Sequence, residues 1–516
     1  MPGRYVLALD EGSSSTRAVL VDEQGVSVGE ARADVTWNRR RPGWAELDPV
    51  GLWAIQQDTI DRVLASTGIA PRDIAAIGVT SHRETVMVWD RNSGRPVHDA
   101  LVWISNQTDD IVRRWTAAGF DDEFRTRTGL RNDSFFSAAK IAWLLEEVPG
   151  VREGAECGRL VAGTVDSWLV WNLTAGRSHL TDHSCASRTA LFNLERLAWD
   201  FELCAMLGIP VELLPPALAS DSEFGTVASS VLDPGDGREI PIRGVVADQQ
   251  AGMFGQACFG DGSAKNTFGT AGVLTVNSGD QVRLVDGLTS SVGWTVQGRT
   301  CYELEGVAFH SGQTLHWLRE NLGLIGPHES IDDLVASVPD NGGVYLVPAM
   351  GGLCAPYWDR AARASVVGLS LDSTRGHIVR AALEAMAYQA NDSLVRLHEQ
   401  GQPVTTLKVD GGAARNDVLC QFLADISGLT IERPAGLERT ALGVAYIAGI
   451  GEGLWSGPVD VLRGWTLDRT FSPSMSDERR TELYDGWRAA VDRTLTTTTS
   501  SSAADAALAT SGRLSR

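Results

Sequence analysis

Two stretches half a chain apart follow one design, and this repetition limits the fold more than any other feature. In the first, the apolar run Tyr5-Val6-Leu7-Ala8-Leu9 enters Asp10-Glu11-Gly12-Ser13-Ser14-Ser15-Thr16-Arg17 and continues as Ala18-Val19-Leu20-Val21. That pattern predicts a β-hairpin with a polar tip. In the second, Ala264-Lys265-Asn266-Thr267-Phe268-Gly269-Thr270-Ala271-Gly272 feeds Val273-Leu274-Thr275-Val276. Two such hairpins point to a duplicated unit, each half presenting a Gly/hydroxyl turn to a central cleft. Backbone N–H groups in such a turn form an anion-binding concavity, the hydroxyls add donors, and Arg17 can neutralise a transferred phosphoryl group. Asp10 is then placed to hold a hydrated Mg²⁺ ion, which takes one or two carboxylates plus phosphate. The same residues also suit an ordinary solvated Ser-rich turn. No GxxxxGKS/T phosphate loop lies near it.

A chain of 516 residues exceeds what one hydrophobic core serves, which predicts two large domains. The net charge is −20, and Lys occurs only at Lys140, Lys265 and Lys408. Acidity without a basic stripe argues against nucleic acid or anionic membrane as a partner. The seven cysteines are odd in number and scattered, with no CxxC, which argues for a reducing compartment and against structural zinc. No signal-peptide pattern and no membrane-length apolar run is present, so the expected location is the cytoplasm.

Along the chain, a helix is predicted from Val50 to Ser66, a strand over Ile74–Thr80, and another over Val86–Trp89. Arg83 and Glu84 follow the first of these strands, where α/β sheets bind ligands. Such a pair can grip vicinal hydroxyls, one as donor and one as acceptor, or can be a solvated ion pair. Leu180 to Arg188 reads as a polar loop at the cleft floor; its His, Cys and Asp match no metal-ligand spacing. Asp248 ends the strand Val245-Val246-Ala247 and suits a general base or, equally, a helix N-cap. Gly411-Gly412 follows the strand Thr406–Val409, where bare backbone lets a flat ligand approach closely. From Thr494 the chain is Thr/Ser/Ala-rich and is predicted to be disordered.

With these landmarks in order, the chain resembles the FGGY family of carbohydrate kinases from Tyr5 to about Arg493. The resemblance rests on Phe135-Phe136-Ser137 with Lys140 and Trp143-Leu144-Leu145-Glu146-Glu147, and on Ala364 to Glu384 through Gly368-Leu369 and His377-Ile378. Arg83-Glu84-Thr85, Asp248-Gln249-Gln250, Lys265-Asn266-Thr267, Ala355-Pro356-Tyr357-Trp358-Asp359 and Asp410-Gly411-Gly412-Ala413 match the glycerol-phosphorylating members in place and order. It implies an α/β fold of two actin-like, ribonuclease H-like domains with mixed sheets flanked by helices around a central cleft. Their expected extents are 1–250 and 251–493, with the tail at 494–516. The implied activity is an ATP- and Mg²⁺-dependent kinase of a small polyol, glycerol first, working as a homodimer or homotetramer.

Residue by residue, the resemblance makes Asp248 the base, Asp10 the Mg²⁺ holder through water, and Arg17 a catalytic cation. Ser13, Ser14, Ser15, Arg17, Gly269, Thr270, Gly312, His316, Gly412 and Asn416 would contact the nucleotide. Arg83, Glu84, Trp103, Phe135, Asp248, Gln249 and Val273 would line the polyol site. Phe135 stands where these kinases usually carry Tyr, and Val273 where they usually carry Phe. Ile104-Ser105-Asn106-Gln107 departs after Trp103, Ala271 replaces a Gly, and Glu11 replaces a Gln. These changes favour a four- or five-carbon polyol or ketose as the alternative substrate. A non-catalytic nucleotide- or sugar-binding protein on the same scaffold is the other alternative, against which Asp10 and Asp248 both stand.

Overall fold

The computed structural model describes residues 4–461 and 464–496. Its frame is two twisted sheets built on one plan. In the first, the strands run in the order Ile242–Ala247, Ile74–Ser81, Tyr5–Glu11, Ser15–Val21 and Ser27–Asp34. The Tyr5–Glu11 strand pairs antiparallel with Ser15–Val21 and parallel with Ile74–Ser81. In the second sheet, Ser263–Phe268 pairs antiparallel with Gly272–Asn277 and parallel with Thr406–Asp410. Arg299–Ala308 and Thr289–Val296 extend one side; Ile431–Pro434 and Leu467–Phe471 extend the other. Both predicted hairpins are present, and each opens its sheet's mixed pairing.

Alternation decides what covers each face. Leu7, Leu9 and Leu20 point into a core that includes Leu52, Ile60 and Val63 of the helix Pro49–Thr67. That helix starts where the Asp48 side chain accepts Val50 N–H and stops at Gly68 in the left-handed conformation. Val6, Ala8, Val19 and Val21 point the other way, onto Val444, Ala445 and Ala448 of the helix Thr440–Glu452. In sequence this helix lies between two strands of the second sheet, Ile431–Pro434 and Leu467–Phe471, yet it packs on the first sheet and on the helix Asp248–Gly255. The crossing needs glycine: a Cβ on Gly443 would lie 1.8 Å from Ala251 O. The second sheet carries the long helix Arg375–Glu399 and the helices Asp417–Ser427 and Asp477–Asp492. No helix among the described residues is long and apolar enough to cross a membrane.

Three expectations are corrected. The stretch from Leu180 to Arg188 is not a loop: Thr181–Asp182 pairs with Ala217–Leu218, and His183–Ser187 is a helical turn. Asp182 is the reason, since its carboxylate accepts Ser184 and Cys185 N–H and caps that turn. The apolar run Ala100-Leu101-Val102-Trp103 predicts a strand through Trp103, but the strand ends at Leu101 and Trp103 lines the cleft. Order also persists past Thr494. Thr494 and Ser365 hydroxyls are 2.6 Å apart, and Thr496 N–H donates to Asp359 at 2.6 Å. The rest of the predicted tail, 497–516, lies outside the described residues.

Candidate active site

Both hairpin tips face one cleft. In the first, Gly12 N–H donates to Ser15 C=O at 2.9 Å, which closes the turn and leaves Ser13 and Ser14 at its edge. Ser15 is buried at the start of the return strand. Asp10 sits directly opposite Arg17 across the antiparallel pair. Burial pushes Asp10 up to about 7; Arg17 opposes this, while the Asp248 charge adds to it. Arg17 itself bonds Glu438 through Nη1 and has Nε 3.7 Å from Glu30, so a phosphate would share this guanidinium with two carboxylates.

The second tip is tied to a helix start. Ser311 N–H donates to Thr270 C=O at 3.1 Å, and Gly312 N–H to Gly269 C=O at 3.0 Å. A Cβ on Gly312 would stand 2.7 Å from Gly269 O, so only glycine permits this approach. The helix Gly312–Glu320 therefore begins at the loop, with its His316 exposed. The helix dipole at this start favours a phosphate, while the Ser311 and Gly312 N–H groups themselves are taken by the turn's carbonyls.

Between the tips lies a cavity of ≈ 170 Å³. Ser13, Ser14, Gly269 and Thr270 form its rim, and Arg83, Glu84, Trp103, Phe135, Asp248, Gln249 and Val273 line it. All seven residues of the predicted polyol set are brought together, from five separate segments. Asp248 is the first residue of its helix and not the cap, which is Ala247. Its carboxylate accepts from Gln249 N–H at 2.7 Å and stands 3.3 Å from Arg83 Nε, with 21% of the side chain exposed. Trp103 Nε1 donates to Ser13 Oγ at 2.8 Å and so joins the cavity wall to the first hairpin tip. Phe135 packs edge-on against Trp103, centroids 5.7 Å apart. Lys265 holds the Gln249 side chain at 2.5 Å.

Below this cavity is an ion cluster that links the two halves. Arg188, fully buried, donates Nε to Glu84 at 2.8 Å and Nη2 to Glu305 at 2.7 Å. Arg83 also bonds Glu305. Glu305 belongs to the second sheet, while Arg83, Glu84 and Arg188 belong to the first half. Burial would raise Glu305, but the Arg188 and Arg83 guanidinium groups hold it below the usual carboxylate range. Glu84 adopts φ 63°, a strained conformation for a residue with a side chain, and the cluster holds it there. The solvated-pair reading of Arg83 and Glu84 is thus excluded. Sequence reasoning missed Arg188 and Glu305, because each is recognisable only by its partners.

Other predicted residues stand apart from this cavity. Asn416 caps the helix Asp417–Ser427 by accepting Leu419 N–H at 2.8 Å, and its amide binds Asp332. Gly411 adopts φ 84°, while a Cβ on Gly412 would meet no atom of the described residues within 4 Å, so that turn presents open backbone. The donor set fits Mg²⁺: the Asp10 carboxyl lies near enough to Asp248 to feel its charge, beside hydroxyl and backbone donors suited to phosphate.

Comparison with known proteins agrees with this geometry. The N-terminal domain model of the FGGY family of carbohydrate kinases matches residues 5–255, and the C-terminal domain model matches 264–452. The chain is 47% identical over 494 residues to a glycerol kinase of Dechloromonas aromatica, covering 95% of this chain and 98% of that one. It is 45% identical over 494 residues to glycerol kinase 2 of Thermotoga maritima, covering 95% and 99%. Among solved structures, Plasmodium falciparum glycerol kinase with ADP superposes with a TM-score of 0.86 at 32% identity, covering 96% of this chain and 100% of that one. Two sheets on one plan, a cleft between their hairpins and matches to both domain models lead to one conclusion: the chain belongs to the FGGY family of carbohydrate kinases.

Proposed function

We propose that the protein transfers the γ-phosphoryl group of ATP to a terminal hydroxyl of glycerol. The observation that carries this reading is the convergence of Arg83, Glu84 and Asp248 in one small cavity between two phosphate-type loops. Its ≈ 170 Å³ is below the roughly 300–1,000 Å³ of sites for drug-sized ligands. A three-carbon polyol suits it, and relatives at 45–47% identity are glycerol kinases.

In this reading Arg83 donates to one hydroxyl of the polyol and Glu84 accepts from its neighbour. Together they aim the terminal hydroxyl at Asp248. Asp248 takes its proton as the oxygen attacks phosphorus, and Arg83, 3.3 Å away, fixes the carboxylate's orientation. Phosphoryl transfer needs little covalent help, so in-line positioning and charge neutralisation supply most of the rate. Ser13, Ser14 and Thr270 meet the phosphates with hydroxyl and backbone donors, and Gly412 offers open backbone to the base. Asp10 would hold a hydrated Mg²⁺, which when bound would neutralise charge on the phosphates. Closure of the cleft excludes water, which suppresses ATP hydrolysis.

Phe135 and Val273, buried in the cavity wall, give the second reading its basis: a less polar, roomier wall admits a four- or five-carbon polyol. ADP release from Mg-ATP with glycerol, dihydroxyacetone and four- and five-carbon polyols decides between them. The proposal predicts the highest kcat/KM with glycerol. A four- or five-carbon optimum with glycerol poor would replace the substrate, and ADP release with none of them would remove the kinase assignment.

A further inference from the structure

A second cavity, of ≈ 540 Å³, adjoins the first. Phe309 lines it, Phe135 lines the polyol cavity, and their ring centroids are 5.7 Å apart. Its walls come from both halves: Arg39 and Trp44 on one side, His310, Trp317, Gly351 and Arg363 on the other.

The charge of these walls runs against that of the molecule. In a chain of net charge −20, three arginines line the cavity against one carboxylate, Asp109. Arg360 is committed to Asp133. Arg39 forms no hydrogen bond or ion pair among the described residues and only overlies Trp37, at 5.8 Å. Arg363 spends Nη1 on the carbonyls of Arg360, Ala361 and Ala362 and keeps its other donors. Guanidinium groups with free donors suit a phosphate dianion.

His310 supplies an independent pointer. It is 8% exposed, its Nδ1 is 3.0 Å from Gln313 Oε1, and its Nε2 has no hydrogen-bond partner among the described residues. Buried polar atoms are normally paired. With Nδ1–H donating to the amide oxygen, Nε2 carries a lone pair and suits a hydroxyl. A Cβ on Gly351 would stand 2.9 Å from Nε2, so the bare glycine keeps that face open. Trp44 and Trp317 add apolar surface for a carbon skeleton.

We propose that this cavity is a second ligand site, which takes a hydroxylated phosphomonoester with its phosphate on Arg39 and Arg363 and a hydroxyl on His310 Nε2. Two sources have this chemistry: a polyol phosphate such as the product of the reaction proposed above, and a hexose phosphate. Because its walls belong to both halves, an occupant would also restrain their relative motion.

Isothermal titration calorimetry on the nucleotide-free full chain tests this with glucose 6-phosphate, glycerol 3-phosphate, glucose and inorganic phosphate as probes. At least one ester should bind, about tenfold or more weaker to Arg39→Ala/Arg363→Ala and to Gly351→Ala, with glucose silent. Loss of glycerol 3-phosphate binding in those variants identifies the product as occupant; loss confined to glucose 6-phosphate identifies a hexose phosphate. Neither ester binding below about 10 mM would overturn the proposal, as would affinity unchanged in both variants or inorganic phosphate binding as tightly as the esters. Turnover of glycerol by Arg39→Ala/Arg363→Ala without ester should equal that of the parent chain. Binding is read without turnover, so failure of the kinase reading and failure of the second site are distinguishable.

Discussion

Asp10 in the first hairpin stands opposite Arg17 across the antiparallel pair and opposite Thr80 across the parallel one. In the second hairpin, Thr267 stands opposite Val273 and opposite Asp410. The backbone is repeated, but the carboxylate has moved one strand over and a valine occupies the arginine's place. Thr267 Oγ1 donates to Asp410 at 2.5 Å, so the second carboxylate is bonded within its own sheet. Thr80, the matching neighbour of Asp10, makes no hydrogen bond to it among the described residues, and Asp10 feels the charge of Asp248 instead. Pairing of this kind needs only the hairpin and its parallel strand, and charge is free to differ between copies. In the account above, the first half handles charge and the second supplies backbone donors and an apolar wall.

The largest effect should come from the cluster that joins the halves. Arg188→Ala leaves Glu84 and Glu305 buried without their shared partner. It should cost about 3–5 kcal/mol in urea unfolding, with less cost for the pair change Arg188→Met/Glu305→Gln. A loss below about 1 kcal/mol would mean that the halves are held together elsewhere. Next, the hairpins can be set against each other. Asp10→Asn should lower kcat about 10²–10³-fold, and Asp410→Asn by no more than about tenfold. Equal losses would break the asymmetry.

Each half also holds a carboxyl that burial pushes up to about 7, Asp10 in the cleft and Asp392 in the second core. Asp392 accepts from Trp487 Nε1 at 3.0 Å and Tyr484 OH at 2.9 Å. An acid raised by folding favours the native state below its unfolded value near 4 and loses that contribution as pH rises through about 7. Stability of the parent chain relative to Asp392→Asn should therefore fall from pH 4 to pH 7 by a few kcal/mol at most. A pH-independent difference would refute the assignment. The smallest effect concerns the wall: Val273→Phe should lower kcat/KM for four-carbon polyols about tenfold relative to glycerol. An unchanged ratio would remove Val273 from substrate selection.

Much of this architecture is legible locally. The two hairpins, the Pro49–Thr67 helix and the strand before Arg83 follow from apolar period and turn chemistry, which act over a few residues. The residues that the family resemblance assigns to the polyol are recognisable by motif, and the fold brings them to one cavity. Arg188 was not legible, since Ser187-Arg188-Thr189 has no local signal and its meaning lies in Glu84 and Glu305, more than a hundred residues away on either side. The helix Thr440–Glu452 is apolar nearly all round, which announces burial without naming the sheet that buries it. The turn at Asp182 was misread because a two-residue strand and a five-residue helix leave too little pattern to see.

The central claim is that Asp248 takes the proton of the attacking hydroxyl, and its most direct test is rapid-quench turnover by Asp248→Asn beside ATP binding by calorimetry. The account predicts a fall of about 10²–10⁴-fold or more in the phosphoryl-transfer rate with ATP affinity within about twofold. Near-normal transfer in that variant would contradict it, and the base would have to be sought elsewhere in the cleft.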